Sequence, residues 1–545
     1  MRKLRRLLLK NMSTKPMTHR QIMEALSGLL LVLFVAMASS TIVSTALPRI
    51  IGALDGSQTQ YTWVVTASLL TATASTPIWG KLADLYSKKL LVQISIVVFV
   101  LGSMVAGMSQ TAGQLIAARA FQGLGMGGVQ ALVQIAIAAM IPPRERGRYN
   151  GYLGGVMAVA TVGGPLLGGL IVDTSWLGWR WCFYIGVPIA VIALVVLQKT
   201  LNLAVIKREN VKVDYVGATL IALGVSTLLV WVSFVDSSFA WLSWQTYAMV
   251  GAGLAILALA VRVETRVAEP VVPIQIVKQP TTALSIIASL AVGMAMFGGS
   301  VFLGQYFQIG RGYSPTEAGL LTIPMMAGVL VSSTVAGRLI SISGRIKPYL
   351  VAGTLILVGG FAGLSLLDHD TSLWYVGGAM ALVGIGVGMT MQNLVLAVQN
   401  TVALKDIGAA SSTVAFFRSL GGTIGVSVLG AVLAHRVTDN LTHELAAAGV
   451  PASGASASST LNLSALPAAI QHLVRVAYGD ATGHIFLISA AIAVVGVIAA
   501  LLMKPTALRS TVDAVQPTEE PAGDSPGVAR DGSRGRAEDL ALTES

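Results

Sequence analysis

The sequence has few charged residues and only one cysteine. Asp, Glu, Lys and Arg make up 11% of its 545 residues, whereas they make up roughly a quarter of an ordinary soluble domain. A soluble protein of this length could not cover its surface with so few charges, so the composition excludes a soluble multidomain enzyme. The single cysteine, Cys182, excludes an intrachain disulfide and a cysteine-ligated metal cluster.

The sequence also lacks the signatures of ATP hydrolysis and of intramembrane catalysis. No G-x-x-x-x-G-K-[ST] pattern occurs, so ATP is not expected to be the direct energy source. The six histidines lie in predicted loops or at predicted helix ends, which argues against an intramembrane metal site and a serine–histidine protease. We therefore expect no enzymatic activity, no catalytic residue, no cofactor and no bound metal, which leaves an ion gradient as the energy source.

Hydrophobic residues are abundant, at 54% of the chain, and they are arranged in fourteen long runs. A membrane-spanning helix needs about 20 largely apolar residues, and none of the runs alternates as the strands of a membrane barrel do. The sequence therefore predicts an all-α membrane protein with fourteen transmembrane helices, at 22–47, 62–82, 90–108, 112–141, 149–172, 180–198, 215–235, 244–262, 282–308, 316–337, 348–367, 372–398, 407–435 and 482–503.

The distribution of basic residues predicts the orientation of these helices. With both termini in the cytoplasm, 29 of the 36 Lys and Arg residues fall on the cytoplasmic side and five on the outer side, as the positive-inside rule requires. The net charge of +11 is then explained by orientation and by contact with membrane lipids. We expect a bacterial inner-membrane protein with no nucleic-acid partner.

These predictions divide the chain into five parts. A basic cytoplasmic tail precedes the first helix, and a tail rich in Pro, Gly, Ser and acidic residues, expected to be disordered, follows the last. Two six-helix halves flank two inserted helices. The second half contains a long outer loop, 436–481, whose ends are expected to form short helices lying on the membrane. The five parts are 1–21, 22–198, 199–280, 281–503 and 504–545.

An internal repeat supports the two halves. GKLADLYSKKL at 80–90 is similar to GRLISISGRIK at 337–347, an offset of 257 positions. Parallel six-helix repeats are the architecture of many secondary transporters, whose substrate site lies near the membrane midplane between the halves. The same offset pairs three further glycines, Gly151 with Gly408, Gly164 with Gly421 and Gly168 with Gly425.

Several motifs occur in order along the chain: GKLADLYSKK at 80–89, R-x-x-Q-G at 119–123, the glycines of 151–169, WRWCFYIGVP at 179–188 and SPTEAG at 314–319. Together they resemble the major facilitator superfamily, specifically its fourteen-helix drug:proton antiporter branch. The resemblance covers about residues 20–505 and implies the major-facilitator fold and an exporter that works by alternating access. One departure from the family pattern matters: Ser39 stands where the family usually has an Asp, two residues before Thr-Ile-Val, so the proton-coupling carboxylate is left unassigned.

The motif between predicted helices 2 and 3 supplies the first gating candidates, Gly80, Asp84, Lys88 and Lys89. The resemblance implies that the Asp lies near the start of predicted helix 13, at 408–412, where the partial positive charge of the helix N-terminus attracts it. We expect this contact to hold the halves together when the substrate site faces outward. The alternative is a simple helix cap beside orienting lysines.

Gly164, Pro165 and Gly168 on predicted helix 5 are further gating candidates. The run GGPLLGGL at 163–170 combines a helix-breaking proline with small residues, so it permits a bend and the close approach of a neighbouring helix. The resemblance implies that this run is a mark of exporters. The alternative is tight packing of a kind common in glycine-rich membrane proteins.

A polar stripe on predicted helix 4 indicates a substrate or coupling site. Its members Arg119, Gln122, Gln130 and Gln134 follow helical spacing, and an arginine within a membrane helix usually faces the bundle interior. Arg119 either binds an anionic substrate group or is a structural arginine bonded to carbonyls of helix 1. Further candidates, for which hydrogen bonds between helices are the alternative, are Ser39, Gln305, Gln392, Asn393 and Arg418.

The leading function is therefore secondary active export of amphipathic drugs or antibiotics in exchange for protons. A dedicated exporter of one endogenous metabolite or lipid is the first alternative, because the helix 1 Asp is missing and Arg119 favours an anion. A non-transporting membrane receptor or scaffold is the second alternative, which the gate motifs and the polar stripe disfavour.

Overall fold

The computed structural model describes residues 19–55, 58–174, 176–201, 203, 214–235, 239–267, 270, 272, 274–403, 406–447 and 468–509. The predicted basic tail 1–21 lies almost entirely outside these residues. Their regular structure is helical, and fourteen long helices coincide with the fourteen predicted runs. These are α1 His19–Ala53, α2 Gln58–Leu85, α3 Lys88–Gly107, α4 Ala112–Met140, α5 Pro143–Asp173, α6 Gly186–Thr200, α7 Tyr215–Phe234, α8 Trp244–Glu264, α9 Pro280–Gln305, α10 Ile323–Ser343, α11 Lys347–Leu364, α12 Leu373–Thr401, α13 Ile407–Ala447 and α14 Ala468–Leu502.

Twelve helices of the described chain are long and apolar enough to cross a membrane, and α2 and α7 differ from them in composition. The apolar part of α7 is shorter, at Val216–Val232. Helix α2 is rich in Ser and Thr because it packs between α4 and α13 rather than against lipid. Its buried hydroxyls donate to carbonyls of the same helix, as Thr76 does to Ala72 at 2.8 Å, so they need no water.

The helices form two similar halves with α7 and α8 beside them. In the first half α1 packs on α5, and α4 packs on α2 and α3; in the second half α9 packs on α13, and α12 packs on α10 and α11. The halves meet along two seams, α2 with α13 and α5 with α10. Helices α7 and α8 pack on each other, and α7 also packs on α2 and α13.

Gly164 and Gly421, which the repeat pairs, each bring the first and fifth helices of their half together. An added Cβ on Gly164 would lie 1.8 Å from Thr41 Oγ1 of α1, and one on Gly421 would lie 2.3 Å from the Leu290 carbonyl oxygen of α9. Only hydrogen fits at these positions, so α1–α5 and α9–α13 cross with their backbones close together.

The outer part of the second half differs from the prediction. Helix α13 runs on to Ala447, and α14 already begins at Ala468, so the ends of the predicted loop 436–481 continue these helices instead of lying on the membrane. The extensions are stable because Leu441 and Leu445 of α13 are buried with Val474 and Ala477 of α14. Asp480, which stands two positions before the predicted start of helix 14 at 482, lies within α14.

The structure also differs from the expected disorder of 504–545 at its first residues. We call the end of the bundle where α1 begins and α14 finishes the inner end, which is the end predicted to face the cytoplasm. There the segment 504–509 lies across the helices: the Leu508 amide donates to the Gly344 carbonyl at 3.0 Å, and the Arg509 amide donates to Asn400 Oδ1 at 2.9 Å. Residues 510–545 lie outside the described chain.

Candidate functional site

Asp84 joins the two halves at the inner end. It lies on the last turn of α2, where its Oδ1 accepts a hydrogen bond from the Gly408 amide at 2.8 Å and its Oδ2 accepts one from the Ala409 amide at 2.7 Å. These amides belong to the first turn of α13, whose N–H groups have no partner within the helix. The partial positive charge of this helix N-terminus favours the carboxylate.

The other gating candidates of this motif, Gly80, Lys88 and Lys89, make different contacts. An added Cβ on Gly80 would lie 1.9 Å from Ser412 Oγ and 2.8 Å from the Gly408 carbonyl oxygen, so Gly80 permits α2 to approach α13. The positive charge of Lys88 acts on Asp84. Lys89 instead donates from Nζ to the Gln198 carbonyl at the end of α6, at 2.6 Å, so this bond stays within the first half.

Arg146 makes a second bridge between the halves that the sequence analysis missed. Its side chain is 3% exposed, and its Nη1 donates to Gln399 Oε1 of α12 at 2.7 Å. The other nitrogens donate to the Ile141 and Ala138 carbonyls. The sequence gives no signal for this role, because Arg146 stands between two exposed arginines in a loop-flanking cluster that the positive-inside rule already explains.

The second seam at the inner end is closed by backbone contact. An added Cβ on Gly337 of α10 would lie 1.7 Å from the Gly147 carbonyl oxygen of α5, and Arg144 Nε donates to the Ser341 carbonyl at 3.3 Å. Ser341 is the repeat counterpart of Asp84, so the second seam has no carboxylate at that position. We call these contacts of Asp84, Arg146 and the Gly147–Gly337 crossing the inner gate, and all of them are formed in this structure.

Arg119 lies in a cage of neutral oxygens. It is 3% exposed, and it donates to the Val64 carbonyl at 3.4 Å, to Ser68 Oγ at 2.8 Å and to Gln122 Oε1 at 2.5 Å. The backbone carbonyl comes from α2, not from helix 1 as the structural alternative supposed. Helix α1 joins the cluster through Ser39, whose Oγ accepts from Gln122 Nε2 at 3.4 Å.

The inner part of the stripe reaches the opposite half. Gln134 and Gln392 line one cavity of about 20 Å³ between α4, α5 and α12, together with Arg146 and Gln399. This volume holds about one water molecule, so the closed inner gate leaves no room there for a larger ligand. Gln130 instead donates to Met37 Sδ at 3.8 Å within the first half.

Three further substrate or coupling candidates, all in the second half, do not line this cavity. Asn393 Nδ2 donates to the Met389 carbonyl of its own helix at 2.7 Å. Gln305 lies at the outer end, where its Oε1 accepts from the Tyr478 hydroxyl at 2.6 Å. Arg418 is buried in α13 with no partner for Nη1 among the described residues, and burying an unpaired polar atom has a free-energy cost.

The glycines of α5 contact α1 as tightly as the gating hypothesis requires. The Gly164 position is filled by Thr41, whose Oγ1 donates to the Ala160 carbonyl of α5 at 3.0 Å. An added Cβ on Gly168 would lie 2.8 Å from the Ile42 carbonyl oxygen. The side chain of Pro165 lies outside the described residues.

A contact between a histidine and an aspartate at the outer end holds the loop between α11 and α12 against α14. His369 Nδ1 lies 3.0 Å from Asp480 Oδ1, and the His369 amide donates to the same oxygen at 3.1 Å. The pKa of His369 is raised, chiefly because of its side-chain hydrogen bond with Asp480. In the described part of the chain, no group of three or more His, Cys, Asp or Glu side chains is placed to hold a metal ion.

Comparisons with known proteins agree with this architecture. The family model of the Major Facilitator Superfamily matches residues 29–426. An uncharacterised MFS-type transporter of Mycobacterium tuberculosis is 35% identical over 496 residues, which cover 91% of this chain and 71% of the relative. The multidrug transporter protein MdtP of Bacillus subtilis is 34% identical over 423 residues, covering 77% of each chain. The efflux pump dotC of Dothistroma septosporum is 31% identical over 501 residues, covering 90% of this chain and 85% of the relative.

Solved structures share the fold at low sequence identity. The human organic anion transporter MFSD10 superposes with a TM-score of 0.57 at 13% identity, covering 87% of this chain and 99% of that one. The proton:xylose symporter XylE superposes with a TM-score of 0.56 at 14% identity, covering 88% of this chain and 95% of that one.

Proposed function

The chain belongs to the Major Facilitator Superfamily, and from this premise we propose that it is a secondary active exporter of amphipathic drugs or antibiotics, driven by the proton gradient. It is a multi-pass membrane transporter of small molecules rather than an enzyme. The relatives named multidrug transporter and efflux pump support export as the direction of transport. The proposed location is the inner membrane of a bacterium, with both termini in the cytoplasm.

The observation that carries the proposal is the chemistry of the inner gate. Asp84 holds the first turn of α13 by two hydrogen bonds, and Arg146 holds Gln399 by one. Polar contacts of this kind break and re-form without unfolding a helix, whereas large apolar clusters of buried residues hold the helices of each half together. The halves can therefore rock as units about the central site, which is the motion that alternating access requires.

We propose that the proton acts on the inner gate. Protonation of Asp84 would remove its negative charge and place an O–H donor opposite backbone N–H donors, which weakens its hold on the N-terminus of α13. Ser39 has no titratable group to take over the role of the family's helix 1 carboxylate. In this chain, coupling through Asp84 replaces coupling through helix 1.

The substrate is proposed to enter between the halves when the inner gate opens and to leave on the outer side when it closes. One observation favours the alternative of a dedicated exporter for an anionic metabolite or lipid: Arg119 is bonded only to neutral oxygens, so its positive charge is not neutralised by a described acidic residue. An anion held near this cage would supply the missing charge.

Dye efflux tests the proposal. The chain is expressed in a bacterium that lacks its own efflux pumps, and export of cationic ethidium and of anionic carboxyfluorescein is followed with and without a protonophore. Protonophore-sensitive efflux of ethidium is the expected result. Efflux of carboxyfluorescein alone would instead support the anion exporter. Ethidium efflux at the same rate with and without the protonophore would overturn proton coupling.

The controls are the empty vector and the variant Asp55→Asn. Asp55 is an exposed acid at the end of α1 with a positive φ of 49°, a conformation that asparagine adopts readily, so the variant removes one carboxylate without disturbing the fold. Equal membrane abundance of chain and control is required. Absence of gradient-dependent efflux across a broad compound panel would contradict the exporter assignment.

A further inference from the structure

A cavity of about 510 Å³ opens between α1, α5 and α10, outside the crossing that closes the second seam. Phe34 of α1, Tyr152 and Val159 of α5 and Leu330 of α10 form apolar walls, and Tyr152, Val159 and Leu330 are themselves exposed. The site therefore faces the surroundings of the bundle rather than the space between the halves. We call this cavity the lateral groove.

Two arginines stand at the inner end of the lateral groove. Arg148 lies on the second turn of α5 and Arg338 lies about one turn and a half before the end of α10, and both side chains line the cavity and are exposed. Neither guanidinium forms an ion pair or a hydrogen bond with a described residue. Glu145 lies one turn before Arg148 but does not pair with it. Within the described part of the chain, two like charges thus face one mouth without an acidic partner.

The dimensions of the groove match one leaflet of a bilayer. Arg148 and Val159 are eleven positions apart on α5, which corresponds to about 16 Å at 1.5 Å per residue. Half of the roughly 30 Å hydrocarbon core is about 15 Å. With α5 spanning the membrane, the arginines therefore lie at headgroup depth and the apolar walls reach towards the midplane.

We propose that the lateral groove binds an anionic phospholipid of the inner-end leaflet, with its phosphate between Arg148 and Arg338 and one acyl chain along the apolar walls. The phosphate supplies a counter-charge that no described residue provides, and guanidinium groups bind phosphate oxygens in pairs of hydrogen bonds. A zwitterionic lipid carries a positive group beside its phosphate, so its attraction to the two arginines is weaker. Because the groove is shared by α5 and α10, the bound lipid contacts both halves.

Lipid titration of the purified full chain tests the proposal without relying on transport. The delipidated protein in detergent is titrated with dioleoylphosphatidylglycerol or with dioleoylphosphatidylcholine, and native mass spectrometry gives the dissociation constant of the first bound lipid. For the double variant Arg148→Gln/Arg338→Gln we expect at least tenfold weaker binding of phosphatidylglycerol and unchanged binding of phosphatidylcholine.

The matched control is Arg262→Gln/Arg266→Gln at the inner end of α8. Both of these arginines are exposed, so the control removes the same net charge from the same end but away from the groove. Its affinity for phosphatidylglycerol should equal that of the unmodified chain. An equal loss in both double variants would show non-specific attraction to basic residues and would overturn the site.

A groove-filling variant tests the acyl part of the site separately. Val159→Trp adds bulk at a position that is 59% exposed, and it should weaken phosphatidylglycerol binding at least tenfold while both arginines remain. Val191→Trp on the exposed face of α6, at a position 47% exposed, is its control and should bind normally. Unchanged binding by Val159→Trp would overturn the acyl placement, and unchanged binding by Arg148→Gln/Arg338→Gln would overturn the headgroup placement. Thermal unfolding of each variant confirms that it is folded.

Discussion

Three titratable side chains of the bundle, Asp84, Arg119 and Arg146, make their hydrogen bonds to neutral groups. Asp84 accepts from backbone amides, and both arginines donate to carbonyl or side-chain oxygens. Hydrogen bonds of this kind to a charged group contribute about 1.5–3 kcal/mol each. The three residues differ in location: Arg119 contacts only its own half, whereas Asp84 and Arg146 each make hydrogen bonds to the opposite half. We propose that these bonds between the halves break when the inner gate opens.

Asp84→Asn is predicted to shift the conformational equilibrium towards the open inner gate. The variant loses the charge that the N-terminus of α13 attracts, and its Nδ2 group replaces an acceptor by a donor opposite a backbone N–H. A loss of about 2 kcal/mol corresponds to roughly a thirtyfold change in population. The measurement is the alkylation rate of a cysteine introduced by Ser412→Cys, since Ser412 is 1% exposed where α13 meets Gly80.

The background of this measurement is low because Cys182, the only native cysteine, is buried. Alkylation of Ser412→Cys should accelerate at least tenfold in the Asp84→Asn background and should stay unchanged with Asp55→Asn. An unchanged rate with Asp84→Asn would show that the carboxylate only caps the helix and does not hold the gate.

The sequence predicted the acceptor Asp84 but not the donor Arg146, and the reason is physical. Asp84 lies in a motif with a repeat copy and a resemblance to a known family, so both its neighbours and its partner helix were predictable. Arg144, Arg146 and Arg148 have the same chemistry and alternate along one helix start. Only the packing of α12 against this turn distinguishes the buried arginine from the exposed ones.

At the scale of the helices, hydropathy predicted the existence of all fourteen long helices but not where α13 and α14 end. Helix α13 has 41 residues, about 62 Å at 1.5 Å per residue, so it extends well beyond a hydrocarbon core of roughly 30 Å. The extension depends on contacts with α14, through Leu441 and Leu445, and a search for apolar runs cannot detect a partner.

Gly164→Ala is predicted to impair export although it adds a single methyl group. Its Cβ would lie 1.8 Å from Thr41 Oγ1 and 2.6 Å from Thr41 Cβ, so α1 and α5 must separate, at a cost of about 1–3 kcal/mol. Dye efflux at matched membrane abundance is the measurement. Gly163→Ala is the control, because an added Cβ there meets no atom within 4 Å.

Removal of the opposing side chain should restore part of the activity. Thr41→Gly deletes the atoms that the new methyl group meets, so the double variant Thr41→Gly/Gly164→Ala should export more than Gly164→Ala alone. If Gly164→Ala exports as well as Gly163→Ala, the close approach of these helices is not required for transport.

The contact of His369 with Asp480 should make the outer end of α11–α12 more stable at acid pH. Because the pKa of His369 is raised in the folded protein, protonation favours folding, and this contribution is fully present below the unfolded value of about 6.5. It is lost as the pH rises through the raised pKa. The thermal unfolding midpoint should therefore fall over this window, by a small amount because the side chain is partly exposed.

The matched variants separate this pair from other titrating groups. Asp480→Asn removes the carboxylate and should flatten the pH dependence of the midpoint. His435→Gln is the control, since the His435 side chain is 80% exposed beside Asp439, and it should leave the pH dependence unchanged. The same pH dependence in Asp480→Asn and in the unmodified chain would contradict the assignment to His369.

For the whole molecule, the repeat is more regular in its packing than in its chemistry. Both halves cross their first and fifth helices at glycines, and both seams approach closely at a glycine of the repeated motif, Gly80 or Gly337. Only the first seam has a carboxylate, because the counterpart of Asp84 is Ser341. The sequence offset predicted the packing that the two halves share. It did not predict that the α2–α13 seam is held by a carboxylate and the α5–α10 seam by backbone contact, because this difference depends on which atoms meet in the folded protein.

This asymmetry permits a covalent test of alternating access at the seam that has no carboxylate. An added Cβ on Gly154 of α5 would lie 3.1 Å from Ser333 Cβ of α10, about 0.4 Å below the lower end of the range of roughly 3.5–4.5 Å found in disulfides, so a small shift of the helices allows the bond. Oxidation of the double variant Gly154→Cys/Ser333→Cys should therefore lock the halves together on the inner side. We expect dye efflux to stop on oxidation and to return on reduction, because the proposed rocking of the halves would open this seam in every cycle. The single variants Gly154→Cys and Ser333→Cys should be insensitive to the oxidant. Undiminished efflux by a fully cross-linked double variant would show that α5 and α10 stay together during transport, and the halves would then have to open along α2 and α13 alone.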